Sequence, residues 1–89
     1  MKKLEVFMKN EKIILKENGL GVEELTLTPQ TKITRQNRKG ELVSISRDDF
    51  SHGFAVGTTS PTGLYYKRLG NNLTIELKGR KVLEITEED

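Results

Sequence analysis

The residue types best suited to chemistry in this 89-residue chain are aromatic and basic. A Tyr-Tyr-Lys-Arg run occupies positions 65–68, and three further basic residues lie around a polar turn at 36–40. Single-stranded nucleic acid is bound by this combination, because bases stack on exposed rings while Lys and Arg neutralise phosphates. Neighbouring strand residues point to opposite faces, so at most one of the two tyrosines is a surface platform. The candidate ligand-binding residues are Arg35, Arg38, Lys39, Tyr65, Tyr66, Lys67 and Arg68.

The sequence has few of the residues that catalysis or metal binding requires. His52 is the only histidine, and there is no cysteine. A catalytic nucleophile needs a base and an orienting group, and a zinc site needs three or four ligands at characteristic spacing. His52 with Asp48 and Asp49 supplies neither arrangement. We therefore predict a protein that is not an enzyme, without cofactor or metal, in which His52 lies in a loop or against the end of a helical turn.

Composition and charge set limits on partners and location. The net charge is +2 with a pI near 9.0, which permits an anionic partner without requiring one. No stretch approaches the roughly 18 apolar residues of a membrane span. Charges interrupt the residues after Met1, so no signal peptide is expected and the chain is predicted to be cytoplasmic. A chain whose leader had been removed would look the same and would act outside the cytoplasm.

Period-two alternation is the dominant pattern and predicts short strands separated by turns. It is clearest in the C-terminal third, where Leu73, Ile75 and Leu77 alternate with polar residues between two Gly-containing turns. The whole chain has seven to nine such runs. In the run at 41–45, Val43 and Ile45 are expected to face the core.

One helical turn is predicted near 46–50. Ser46 followed by Asp49 resembles a capping box, in which the two side chains satisfy the first backbone N–H groups of a helix. Phe50 closes this turn, and Gly53 is expected to end it.

These elements predict an all-β fold formed by one domain over residues 1–89. Strands at this spacing favour a small closed or partly open antiparallel barrel, of the oligonucleotide/oligosaccharide-binding or SH3-like type. Closure is favoured because it leaves no open edge strand around a thin core. The acidic tail at 86–89 is expected to fray. Strand order and oligomeric state are left open.

The segment 25–57 resembles a family of small bacterial β-barrel domains of unknown function. The resemblance is carried by Thr-Pro-Gln-Thr-Lys-Ile-Thr-Arg at 28–35, Val-Ser at 43–44, and Asp-Asp-Phe at 48–50 with Gly53 and Val56. The family pattern is TPxTKITR…VSxxDFxxGxxV, and this chain departs from it at His52 and Phe54. The resemblance implies a barrel related to the oligonucleotide/oligosaccharide-binding type in mostly exported or envelope-associated proteins. It implies no activity and transfers no catalytic residue.

Three functions are compatible with these observations. The leading hypothesis is a non-catalytic binding module that contacts a partner protein through its polar loops at 36–40 and 57–63 or through an edge strand. The alternative is single-stranded nucleic-acid binding through a basic and aromatic face. A second alternative is an accessory domain of a bacterial envelope protein.

Overall fold

The structure, a computed structural model, describes residues 1–60 and 62–87 of the chain. These residues form nine strands and one short 3₁₀ turn at Asp49–His52. The strands are β1 (Lys2–Lys9), β2 (Lys12–Glu17), β3 (Leu20–Thr26), β4 (Lys32–Gln36), β5 (Leu42–Ile45), β6 (Phe54–Thr58), β7 (Leu64–Leu69), β8 (Asn72–Leu77) and β9 (Arg80–Thr86).

The strands form two antiparallel sheets. One has the order β3-β2-β1-β6, and the other has the order β5-β4-β9-β8-β7. The all-β prediction is confirmed, as is the number of strands. The expected closure into a barrel is not seen, because no described strand of one sheet pairs with a strand of the other.

A single apolar cluster joins the two sheets. Alternate residues of most strands point inward, as the period-two pattern predicts, and are buried between the layers, whereas β5 and β6 contribute only partly buried residues. Burying such side chains is the main favourable contribution to folding. The fully buried residues are Leu4, Val6, Ile13, Leu15, Leu25, Leu64, Leu73, Ile75, Leu83 and Ile85, together with Phe50.

Phe50 reaches this cluster from the 3₁₀ turn, which connects β5 to β6. The Ser46 Oγ accepts a hydrogen bond from the Asp49 N–H at 3.1 Å, which is one half of the predicted capping box. The N-cap residue of the turn is Asp48, whose side chain makes no cap hydrogen bond. The helical residues are Asp49–His52, slightly later than predicted. Gly53 follows with φ of 79°, and a Cβ there would lie 3.0 Å from the Val6 carbonyl oxygen. Glycine therefore suits this position for both reasons.

Two local expectations are refined by the structure. Ile45 packs against the core as predicted, but Val43, on the same face of β5, is 37 % exposed and is not part of the buried core. The residue paired with Val43 is Arg35, so Val43 lies beyond the apolar part of the layer. At the other end of the chain, Thr86 ends β9 and Glu87 donates its N–H to the Asn71 carbonyl at 2.8 Å. Residues 88 and 89 of the expected frayed tail lie outside the described residues.

Replacing Phe50 by alanine tests how much the 3₁₀ turn contributes to the core. We expect Phe50→Ala to lower the free energy of unfolding by about 3–5 kcal/mol, because it leaves a large cavity between the sheets. The matched control is the exposed neighbour Ser51→Ala, expected to change it by less than about 0.5 kcal/mol. Urea unfolding measures both. Equal effects of the two substitutions would contradict a core role for Phe50.

Candidate functional site

The predicted ligand-binding residues lie at opposite edges of the five-stranded sheet. Residues 65–68 are on β7, which is one edge, whereas Arg35 is on β4 and residues 38–39 are in the hairpin that leads to β5, the other edge. β9 and β8 separate β4 from β7, so the two groups are about 14 Å apart across the sheet, at roughly 4.8 Å per strand. The structure therefore does not bring them together in one site.

The two tyrosines of β7 point to opposite faces, as alternation predicts. Tyr66 packs against the core, whereas Tyr65 is 50 % exposed. The Lys2 Nζ lies 5.4 Å from the centre of the Tyr65 ring, within the range of a cation–π contact. One aromatic ring is thus accessible on β7.

The basic residues of β7 are engaged within the protein. Lys67 Nζ lies 3.6 Å from the carboxylate of Glu76 on the neighbouring strand. Arg68 Nη1 donates to the Glu23 carboxylate at 3.2 Å and to the Glu24 backbone carbonyl at 2.9 Å. Since Glu23 and Glu24 belong to β3, Arg68 ties the edges of the two sheets to each other. The positive charges of Lys67 and Arg68 are therefore partly neutralised by carboxylates of the protein itself.

The opposite edge carries the other basic residues. Arg35 lies with its guanidinium 5.2 Å from the centre of the Phe54 ring, across the gap between the sheets. Arg38 and Lys39 are exposed at the tip of the β4–β5 hairpin. Asn37 organises this tip by accepting hydrogen bonds from the backbone N–H groups of Lys39 and Glu41, both at 2.9 Å. The tip is thus a structured loop that presents two exposed positive side chains.

Two outward backbone groups of the β3 edge are already bound by the side chains of Arg68 on β7 and of Glu87, just after β9. The Glu24 carbonyl accepts from Arg68, and the Thr26 N–H donates to the Glu87 carboxylate at 2.8 Å. The register of β3 also shifts at Val22, which lies between the partners of Leu15 and Lys16, so a bulge in β3 disturbs its pairing with β2. Bulges and charged side chains are common protections of sheet edges, so β3 is a poor template for another strand.

β5 lacks such protection. Its four residues, Leu-Val-Ser-Ile, include no charge and no proline, and β4 is its hydrogen-bonding neighbour in the described structure. Leu42 is 45 % exposed and Val43 is 37 % exposed. A groove of about 400 Å³ lies beside β5, lined by Arg35, Gln36, Asn37, Arg38, Val43 and Ile45.

The backbone of β5 is oriented for pairing with a further strand. The Asn37 N–H donates to the Glu41 carbonyl at 2.8 Å, so Glu41 turns its backbone groups toward β4. Because backbone groups alternate along an antiparallel strand, Val43 and Ile45 also bond toward β4. The N–H and C=O groups of Leu42 and Ser44 therefore point to the open edge. Sequence analysis missed Leu42 because nothing in the pattern distinguishes an edge strand from a central one.

The outer face of the five-stranded sheet is polar and holds one perturbed carboxyl. Asn72 Nδ2 donates to Glu84 at 3.0 Å, and this hydrogen bond lowers the pKa of Glu84 from its ordinary value of 4.5. Partial burial acts in the opposite direction, and Lys81, 3.3 Å away, adds to the lowering. The charged form of Glu84 is therefore favoured by the folded structure.

His52 is the last residue of the 3₁₀ turn and is exposed, in agreement with its predicted place. Over residues 1–60 and 62–87, no group of three or more His, Asp or Glu side chains is placed to hold a metal ion. In the same residues, no helix is long and apolar enough to cross a membrane.

Comparison of the chain with protein-family models, with curated proteins and with solved structures gives no match. The resemblance of residues 25–57 to a family of small bacterial barrels therefore stays a prediction.

Substitutions of Lys67 and Arg68, two neighbouring residues of β7, test which of the two positive charges contributes to stability. Arg68→Ala should lower the free energy of unfolding by about 1–3 kcal/mol, because it removes hydrogen bonds between the sheets. Lys67→Ala removes an exposed ion pair and should cost about 0–1 kcal/mol. Chemical denaturation compares them directly. A larger loss for Lys67→Ala would show that Arg68 does not tie the sheets together.

The hydrogen bond to Glu84 predicts a pH dependence of stability. A carboxyl whose pKa is lowered by folding stabilises the protein above its unfolded pKa, and this contribution is lost as pH falls through the folded pKa. Asn72→Ala should raise the pKa of Glu84, measured by NMR titration of its carboxyl carbon. The difference in stability between the wild type and Asn72→Ala should shrink as the solution is acidified. A constant difference across that range is the contrary result.

Proposed function

We propose that this protein is a non-catalytic interaction module that binds a partner by adding the partner's strand to the edge of β5. In strand addition, backbone hydrogen bonds supply much of the affinity, and side chains beside the edge supply specificity. The observation that carries the proposal is that β5 combines outward backbone groups at Leu42 and Ser44 with exposed apolar side chains at Leu42 and Val43.

The other edges of the two sheets support this choice by contrast. Two outward groups of β3 are bound by Arg68 and Glu87, and β7 carries the charged residues Lys67 and Arg68. β6 is uncharged, but its large side chains, Phe54 and Val56, pack against the core. An incoming strand therefore finds both free backbone groups and apolar surface at β5.

The groove beside β5 gives the proposed site its chemical preference. A strand added to β5 would place alternate side chains on the core side of the sheet, next to Val43 and the groove. Arg35 and Arg38 line the same groove, so an acidic side chain at its far end is favoured. The described residues of the polar loop at 57–63 are held by local bonds, such as the one that the Ser60 N–H donates to Thr58 Oγ1 at 3.2 Å.

Single-stranded nucleic acid has weaker support. Its best observation is the exposed ring of Tyr65, but Tyr66 faces the core and the charges of Lys67 and Arg68 are engaged by carboxylates. The role of an accessory domain in a bacterial envelope protein stays a prediction that rests on the resemblance of residues 25–57.

Selection of peptides on the purified protein tests the docking edge. Peptides from a displayed random library should perturb the backbone amides of Leu42–Ile45 in NMR spectra, and Val43→Lys should weaken their binding by about tenfold or more. The matched control is Tyr65→Lys on the opposite edge, which should leave binding unchanged. Perturbations confined to β7, or loss of binding with Tyr65→Lys alone, would contradict the assignment. Tight binding of oligonucleotides that falls steeply with salt would favour the nucleic-acid alternative.

A further inference from the structure

We propose that the partner of the β5 edge is β5 of a second copy of this chain, so that two five-stranded sheets join into one continuous sheet. This inference rests on the proposed function, because it names the strand that docks there. Most soluble oligomers are symmetric, and a two-fold axis presents the same patch on both subunits. β5 would then run antiparallel to its copy.

Alternation of the backbone restricts the register. An antiparallel two-fold pair must place residues of like orientation opposite each other, so its axis passes through a residue and not between two. Leu42 and Ser44 carry the outward groups; an axis through Ser44 sets Ser44 opposite Ser44 of the copy and Leu42 opposite Ser46, the residue that follows β5. This register sets Val43 opposite Ile45 of the copy, and these two apolar side chains lie on the same face of the sheet.

Charge complementarity selects this register over its neighbour. With the axis at Ser44, Glu41, the residue before β5, lies opposite Arg47 of the copy, so opposite charges meet. With the axis at Val43, Glu41 would instead lie opposite the apolar Ile45 of the copy, and the opposite-charge pair would be lost. Glu41 and Arg47 are both exposed and lie within two residues of the ends of β5. The sequence around β5 is thus self-complementary about Ser44.

The opposite edge explains why assembly stops at two copies. After pairing at β5, the joined sheet ends at β7 on both sides, where Lys67 and Arg68 occupy the edge strand. Charged edge strands resist further pairing. The contact is a closed dimer and not the start of a fibre. Because four-residue edges bury little surface, the dimer is weak and depends on protein concentration.

Reversing the charge of Glu41 or of Arg47 tests the inference. Sedimentation velocity measures the oligomeric state at protein concentrations from about 10 µM to about 1 mM. The wild type should shift from monomer to dimer. Glu41→Arg and Arg47→Glu should each weaken the dimer by about tenfold, since each sets like charges opposite each other twice. An equimolar mixture of the two variants should recover dimerisation, because a heterodimer restores opposite charges at both positions. Arg80→Glu, at the exposed first residue of β9, is the control for changed net charge and should dimerise like the wild type.

Three results would overturn the inference: a wild type that stays monomeric throughout, single variants that dimerise like the wild type, or a mixture that does not recover. If the wild type stays monomeric while selected peptides still perturb Leu42–Ile45, self-pairing fails and the docking edge stands. If neither a second copy nor a peptide reaches β5, both proposals fail.

Discussion

Each open sheet ends in two strands whose outward N–H and C=O groups need partners, and this requirement organises the whole molecule. At β3 the requirement is met in part from within, because Arg68 of β7 binds the Glu24 carbonyl and Glu87, just after β9, binds the Thr26 N–H. The same contacts hold the two sheets together along one side. On the other side, β5 keeps outward groups and apolar side chains exposed.

On the side of the molecule that carries β5, side-chain packing holds the two sheets together, and not hydrogen bonds from side chains to the backbone as on the β3 side. Phe50 fills the core from the 3₁₀ turn immediately after β5, and Arg35 contacts the Phe54 ring across the gap. These contacts fix both ends of β5 relative to the core: the structured hairpin tip precedes it and the capped turn follows it. A positioned edge binds a further strand at less entropic cost than a mobile one.

Local patterns were enough to predict the strands, the helical turn and the opposite orientation of the Tyr65 and Tyr66 side chains. Those features depend on alternation and capping, which act within a few residues. Two features were out of reach. Whether the sheets close into a barrel depends on which edges meet, and the role of Arg68 depends on residues 23 and 24 lying beside it. Both are contacts between parts of the chain far apart in sequence, so neither leaves a local signal. The same holds for Leu42, since a short apolar run reads alike in an edge and in a central strand.

The central claim is that β5 is an open edge at which a second strand pairs. Residue-resolved amide hydrogen exchange, followed by NMR in dilute and in concentrated solution, tests it most directly. The account predicts rapid exchange at Leu42 and Ser44 in dilute protein and slower exchange in concentrated protein, while Val43 and Ile45, bonded to β4, stay protected in both. Protection of Leu42 and Ser44 already in dilute solution, or exchange at these amides that does not change with concentration, would contradict it.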